Sequence, residues 1–217
     1  MVLGHFGFGL GAKKFAPRLS LGWIFLAVEF ADILWPDLIL LKVEKVEIQP
    51  ENAHFPFNFI YYPFTHSLLM LLLWGALFGL VYWLIRKDRQ SALVLAICVC
   101  SHWFLDLVVH RPDLPLYPGD SPMYGFGVWD WPVITAVIEG LLFVVGLMFY
   151  LRATKPKNKM GVWGFWLTMV LLVLGHIAGV MSPPPATVEA IGWSAQVMWV
   201  FVLLGFWVDR NRVAREL

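Results

Sequence analysis

The chain has 217 residues, 59% of them hydrophobic and 14% charged, which excludes an ordinary soluble domain. Its formal net charge of +1 supplies no bulk field for a nucleic acid, so membrane lipid is the expected surrounding and nucleic acid is not an expected partner. Nearly every residue lies in or beside an apolar run, so residues 1–217 read as a single integral-membrane helical domain.

In chain order, MVLGHFGFGLGA is too short to cross a bilayer. It is expected as an interfacial segment or as a half-helix tucked back into the bundle, where its four glycines permit close approach. No basic residue precedes its apolar part, so a cleavable signal peptide is not expected. Six runs near the spanning length follow, at 20–41, 64–85, 91–110, 131–151, 161–181 and 190–208. The expected fold class is therefore an all-α integral membrane protein, with about six transmembrane helices in one bundle. Residues 42–63 read as a loop, first of mixed charge and then aromatic; the Pro- and Gly-rich stretch 111–130 reads as a shaped lid. Cys98 and Cys100 sit two apart in the third run and read as small packing residues that do not bond to each other.

The basic residues are strongly sided. Lys13, Lys14 and Arg18, then Arg86, Lys87 and Arg89, then Arg152, Lys155, Lys157 and Lys159, and finally Arg210, Arg212 and Arg215 all fall on one side of a six-span arrangement. Only Lys42, Lys45 and Arg111 remain for the other. The positive-inside rule then places both termini in the cytoplasm.

Against this background, His102, Asp106 and His110 stand out in SHWFLDLVVH, each four residues from the next and so close to one helix face. Ionisable side chains inside a membrane helix cost a few kcal/mol and are kept mainly for function. Imidazole and carboxylate are the donor set of a zinc-like divalent metal. Helical rise puts Asp32 ~21 Å above Arg18, His102 ~20 Å above Arg89 and Asp106 ~26 Å above it, so the polar residues of different runs fall in one layer. His66, in the THS triplet, is expected near the outer end of the second run, where Thr65 could be its helix cap. Asp37 lies at the end of the first run, and Arg111 follows His110, either as a phosphate contact or as a partner of Asp113. Glu29, Glu139 and His176 read as hydrogen-bonded neighbours, and His54 lies in the first loop without alignment to the rest.

The order of His5, a membrane Asp before WPD, THS and then SHWFLD resembles the YdjM-like membrane-bound metal-dependent hydrolases, over roughly residues 1–120. The resemblance implies that His5, Asp32 or Asp37, His66, His102 and Asp106 bind metal, and that the protein resides in a bacterial inner membrane. The chain departs from that family's pattern in two places: PDLI lacks a second Asp, and YYPFTHS lacks a His-Arg pair. The resulting expectation is a hydrolase using zinc or a similar divalent ion on a lipid-like ester or phosphoester. His66, His102 and Asp106 hold the metal, Asp32 ligates or acts as base, and His110 and Arg111 serve the reaction at the mouth. Two other readings stand beside it: a non-enzymatic membrane subunit of a larger complex, and a small ion or proton carrier using Asp32, Glu139 and His176.

Overall fold

The computed structural model describes residues 1–49 and 56–215; His54 lies outside them. Helices α1 (Val2–Ala12), α2 (Leu21–Val28) and α3 (Phe30–Leu40) lead into a hairpin of β1 (Lys45–Ile48) and β2 (Phe57–Tyr61). A single turn, α4 (Pro63–His66), precedes the long helices α5 (Leu68–Arg86) and α6 (Arg89–Val109). The second loop contains β3 (Leu114–Pro115), β4 (Met123–Tyr124) and a 3-10 turn at Val128–Asp130. Then come α7 (Pro132–Ala153), β5 (Thr154–Pro156), α8 (Lys159–Met181), α9 (Val188–Ala195), α10 (Met198–Arg210) and β6 (Arg212–Ala214).

Among the described residues, five stretches are long and apolar enough to cross a membrane: α5, α6, α7, α8 and the α9–α10 pair. The first expected span is also helical but broken at Glu29, whose backbone departs from α geometry between α2 and α3. Its 21–40 extent agrees with the expected 20–41. Across the break the Ile33 N–H still reaches the Glu29 carbonyl at 2.8 Å. Leu72, Leu73, Leu80 and Leu84 of α5, and Val133, Val137 and Leu141 of α7, are exposed, as expected of faces turned to lipid.

The N-terminal segment is a half-helix inside the bundle and does not lie on its surface: Phe6 and Leu10 are fully buried. It runs alongside α7 at backbone contact. A Cβ added to Gly146 would lie 1.8 Å from the Gly7 carbonyl oxygen, and one added to Gly7 would lie 2.7 Å from the Leu142 backbone. Only glycine at both positions lets the two helices close. Around this centre, α5 pairs with α6, α2 packs on α6 and α10, and α10 packs on α8. The apolar core therefore has two parts. One joins α2 and α3 to α5 and α6 through Ile24, Val28, Leu71 and Leu95. The other joins α1 and α2 to α7, α8 and α10 through Phe6, Phe25, Phe143 and Phe165.

Three antiparallel strand pairs depart from the all-helical expectation among the described residues, one of them the short β3–β4 pair of the second loop. The first loop folds as the antiparallel hairpin β1–β2, with Val46 opposite Phe59 and Ile48 opposite Phe57. At the end carrying the basic loops, β5 pairs with β6. There Arg212 donates to Thr154 Oγ1 (3.0 and 3.2 Å) and to the Gly161 carbonyl (2.8 Å), and its guanidinium lies 4.7 Å from the Phe165 ring. Lys13 at the foot of α1 is paired with Asp209 of α10, which also accepts from the Leu21 N–H (2.7 Å) and the Tyr150 hydroxyl (3.0 Å). These contacts fix α1, α2, α7 and α10 to one another at that end.

Candidate metal centre

The polar residues of the separate runs meet at the other end of α1. From α6, His102 is wholly buried, and Asp106 and His110 are nearly so. The four-residue spacing places them in a row: Asp106 Oδ2 lies 3.1 Å from His102 Nε2 and 3.6 Å from His110 Nε2. His66 comes from α4, with Nε2 3.4 Å from Asp32 Oδ1 and 4.0 Å from Asp106 Oδ2. Asp32 comes from α3, its Oδ1 also 3.7 Å from His102 Nε2. The half-helix α1 supplies His5, with Nε2 3.0 Å from Asp106 Oδ1 and a ring stacked on His102 at 3.8 Å between centroids. The Met1 α-amino group donates to the same Asp106 oxygen at 2.8 Å.

The outer nitrogens of three imidazoles have partners that orient the rings. His102 Nδ1 lies 2.9 Å from the Val28 carbonyl, which can only accept, so Nδ1 carries the proton. His110 Nδ1 lies 2.8 Å from Asp113 Oδ1, and the Tyr62 hydroxyl donates to the same carboxylate at 3.1 Å. His66 Nδ1 lies 2.7 Å from Thr65 Oγ1, whose hydroxyl donates to Glu44 Oε2 at 2.7 Å. With Nδ1 held outward, each ring turns Nε2 toward Asp106, and in the neutral ring that nitrogen is a lone pair. Outer partners of this kind fix tautomer and direction in metal-ligating histidines. His102 Nε2 is buried with no hydrogen-bond partner among the described residues, an orphaned acceptor of the sort a cation would satisfy. Two overlapping donor sets, His66–His102–Asp106 and His5–Asp32–His102, have their donor atoms within 4.8 Å of one another. The donor chemistry and the orphaned nitrogen fit a divalent ion.

A short turn makes this convergence possible. Ser67 is extended (φ −79°, ψ 146°) and caps α5 by accepting from the Met70 N–H at 3.3 Å. The cap is thus Ser67 and not Thr65, whose hydroxyl is committed to Glu44 and His66. Glu44 also accepts from the Phe64 N–H (2.8 Å) and the Thr65 N–H (2.9 Å), holding α4 from the loop side. Burial pushes the Glu44 carboxyl up to about 7, against the opposing pull of these Thr65 and Phe64 hydrogen bonds. Above the site, Trp129 lies over His110 at 4.0 Å, and the loop is tied to the end of α6 by Gly127 N–H to the His110 carbonyl (2.6 Å) and Phe126 N–H to the Leu107 carbonyl (2.9 Å).

The remaining expected residues lie elsewhere. Arg111 is on the rim, where its guanidinium makes two bonds to Asp130 (2.7 and 3.0 Å) while its carbonyl accepts from the Asp113 N–H (2.6 Å). Asp37 is exposed and accepts from Gln196 at 2.8 Å, so Asp32 is the carboxylate of α3 that joins the cluster. Glu139 is buried in α7 and accepts from the Gly4 N–H at 3.1 Å, at the head of α1. His176 is half-buried on α8, away from the cluster. Glu29 is fully buried and neither carboxyl oxygen has a partner among the described residues. Sequence reading missed Glu44 and Asp113 as ring-orienting groups, and the Val28 carbonyl with them.

A mostly helical membrane bundle with a buried histidine–carboxylate cluster is the class of protein these observations define. Residues 57–182 match the YdjM inner membrane protein family, and the chain belongs to that family. The match covers His66, His102, Asp106 and His110 and reaches through α8, while the segment bearing His5, Asp32 and Glu44 precedes it. It therefore begins later and ends later than the 1–120 stretch on which the resemblance was read. No curated protein and no solved structure matches the chain.

Proposed function

We propose that the chain is a membrane-embedded, metal-dependent hydrolase that cleaves an ester or phosphoester bond in a lipid or lipid-like substrate. The observation that carries this reading is the convergence of three imidazoles, each with Nδ1 against an acceptor, on two carboxylates. His66, His102 and Asp106 would hold a divalent ion, zinc being the best match to the donors, with Asp32 and His5 alongside. When bound, such an ion lowers the pKa of water and polarises an ester oxygen. Asp32, at 22% the most open side chain of the cluster, is placed to ligate or to take up a proton. His110, with Nδ1 held by Asp113, is placed to move a proton at Nε2. Arg111 would meet a substrate phosphate at the rim, in exchange for Asp130. In this reading the basic loops, the foot of α1 and the C-terminal strand face the cytoplasm of a bacterium, and the site opens toward the outer leaflet.

The test is the metal content of the detergent-purified protein, measured by mass spectrometry beside His102→Ala. About one equivalent or more of zinc or another divalent ion, lost in the variant, supports the site. A folded wild type that stays empty after incubation with metal, or a variant that retains stoichiometric metal, sinks it. Hydrolysis of phospholipid and lipid-phosphate substrates by the loaded protein then tests the reaction. One observation favours the carrier reading, namely the unpartnered Glu29 carboxyl at the break of the first span. Proton or metal flux into liposomes, lost in Glu29→Gln, would replace the hydrolase with that function.

A further inference from the structure

The three oriented imidazoles differ in what faces Nδ1. His102 faces a carbonyl and His110 a carboxylate, and both groups only accept. His66 faces the Thr65 hydroxyl, which can accept or donate. Its tautomer is therefore undetermined until the next group along is considered, and that group is Glu44. Glu44 Oε1 takes the Phe64 and Thr65 backbone N–H groups, while Oε2 lies 2.7 Å from Thr65 Oγ1. The Tyr62 carbonyl, the other acceptor for the hydroxyl, is 3.4 Å away and too long to compete. With the hydroxyl proton drawn to the carboxylate, Thr65 Oγ1 accepts from His66 Nδ1–H, and Nε2 is left with its lone pair facing Asp32 and Asp106.

We infer that Glu44 is a positioning residue for the metal centre: acting through the Thr65 hydroxyl, its carboxylate fixes His66 in the tautomer whose Nε2 can ligate. The inference rests on the metal-binding reading for its purpose, but the hydrogen-bond direction stands apart from it. Glu44→Gln is close to isosteric and reverses the chain. The amide oxygen keeps the two backbone N–H groups, the amide nitrogen donates to Thr65, and the hydroxyl proton turns to His66 Nδ1. Its Nε2 then carries a proton and cannot bind a cation.

The experiment is nitrogen-15 NMR of the histidine-labelled, metal-free protein at mildly alkaline pH, with the His66 signals assigned by their absence from His66→Gln. The wild type is expected to carry the proton on Nδ1, and Glu44→Gln on Nε2. Zinc affinity, measured on the same samples by competition with a chelator, is expected to fall about 10- to 100-fold in Glu44→Gln. Thr65→Val leaves the backbone bonds to Glu44 in place and removes the hydroxyl; it should abolish the Nδ1–H preference and weaken zinc to a similar extent. It also serves if Glu44→Gln does not fold. Thr65→Ser, which keeps the hydroxyl, should behave as wild type. A His66 that stays protonated on Nδ1 in Glu44→Gln or in Thr65→Val overturns the inference. If zinc fails to bind the wild type while the tautomer switches as described, the metal reading fails and the role of Glu44 in setting the ring stands.

Discussion

At the level of single residues, Asp106 is the hub. One oxygen serves His5 and the Met1 amino group, and the other faces His102, His110 and His66. Removing one member of a buried ionic group leaves the others uncompensated, at about 3–5 kcal/mol. Asp106→Ala should therefore lower thermal stability and abolish stoichiometric metal together. A variant of unchanged melting temperature would contradict the hub. Glu44 gives a prediction in pH. Its folded pKa, about 7, lies above the ordinary 4.5, so the folded state holds the proton to higher pH. The stabilisation is complete below about 4.5, falls as pH rises through about 7, and is on the order of 3 kcal/mol. The stability difference between wild type and Glu44→Gln, followed by denaturation across that window, should fall as pH rises; a flat difference would show that Glu44 is not perturbed. The row from His102 to His110 was legible in the sequence, because helical spacing alone puts those side chains on one face. Glu44 and Asp113 were not, because their distances to the rings depend on how the loops fold back.

Among the elements, α1 decides how complete the site is. It is shorter than a span and could be seated only because Gly7 and Gly146 bring two backbones together. Gly146→Leu should push α1 from α7, at about 1–3 kcal/mol for overpacking, and carry His5 away from Asp106. Lower metal affinity together with the lower melting temperature is the expected result. An unchanged affinity would show that His5 is not needed among the ligands. The sequence left two placements open for this segment, since length and composition suit a surface helix as well as a buried one. The spans were legible from hydropathy to within a few residues. The exception was the start of the second, where extended Ser67 separates α4 from α5. The strands were not legible: β1 and β2 are four and five residues long, and β6 gains its partner β5 only through the turn between α7 and α8.

For the whole molecule, the candidate ligands come from α1, α3, α4 and α6, so a bound ion would join elements far apart in sequence. A ligand bound only by the folded state stabilises it by about 2.7 kcal/mol at a hundred times its dissociation constant. The melting temperature should accordingly rise with added zinc and fall on chelation, and His102→Ala should remove that dependence. A zinc-independent melting temperature in a protein shown to contain metal would mean that the ion is held equally well by the unfolded chain.

The docking of α1 on α7 also sets an order in time. Gly4 is made well before Glu139, the group that receives its N–H, which follows 135 residues later. At common rates of synthesis that interval is roughly 7–27 s. Throughout it, α3, α4 and α6 can already stand together in the bilayer with their part of the cluster, while the place of His5 waits for α7. The centre is thus finished by a late event, the segment bearing His5 being seated by a helix made after the rest of the cluster. Capture of an ion by the full set of residues belongs after membrane insertion of α7 and not during the emergence of the histidines themselves.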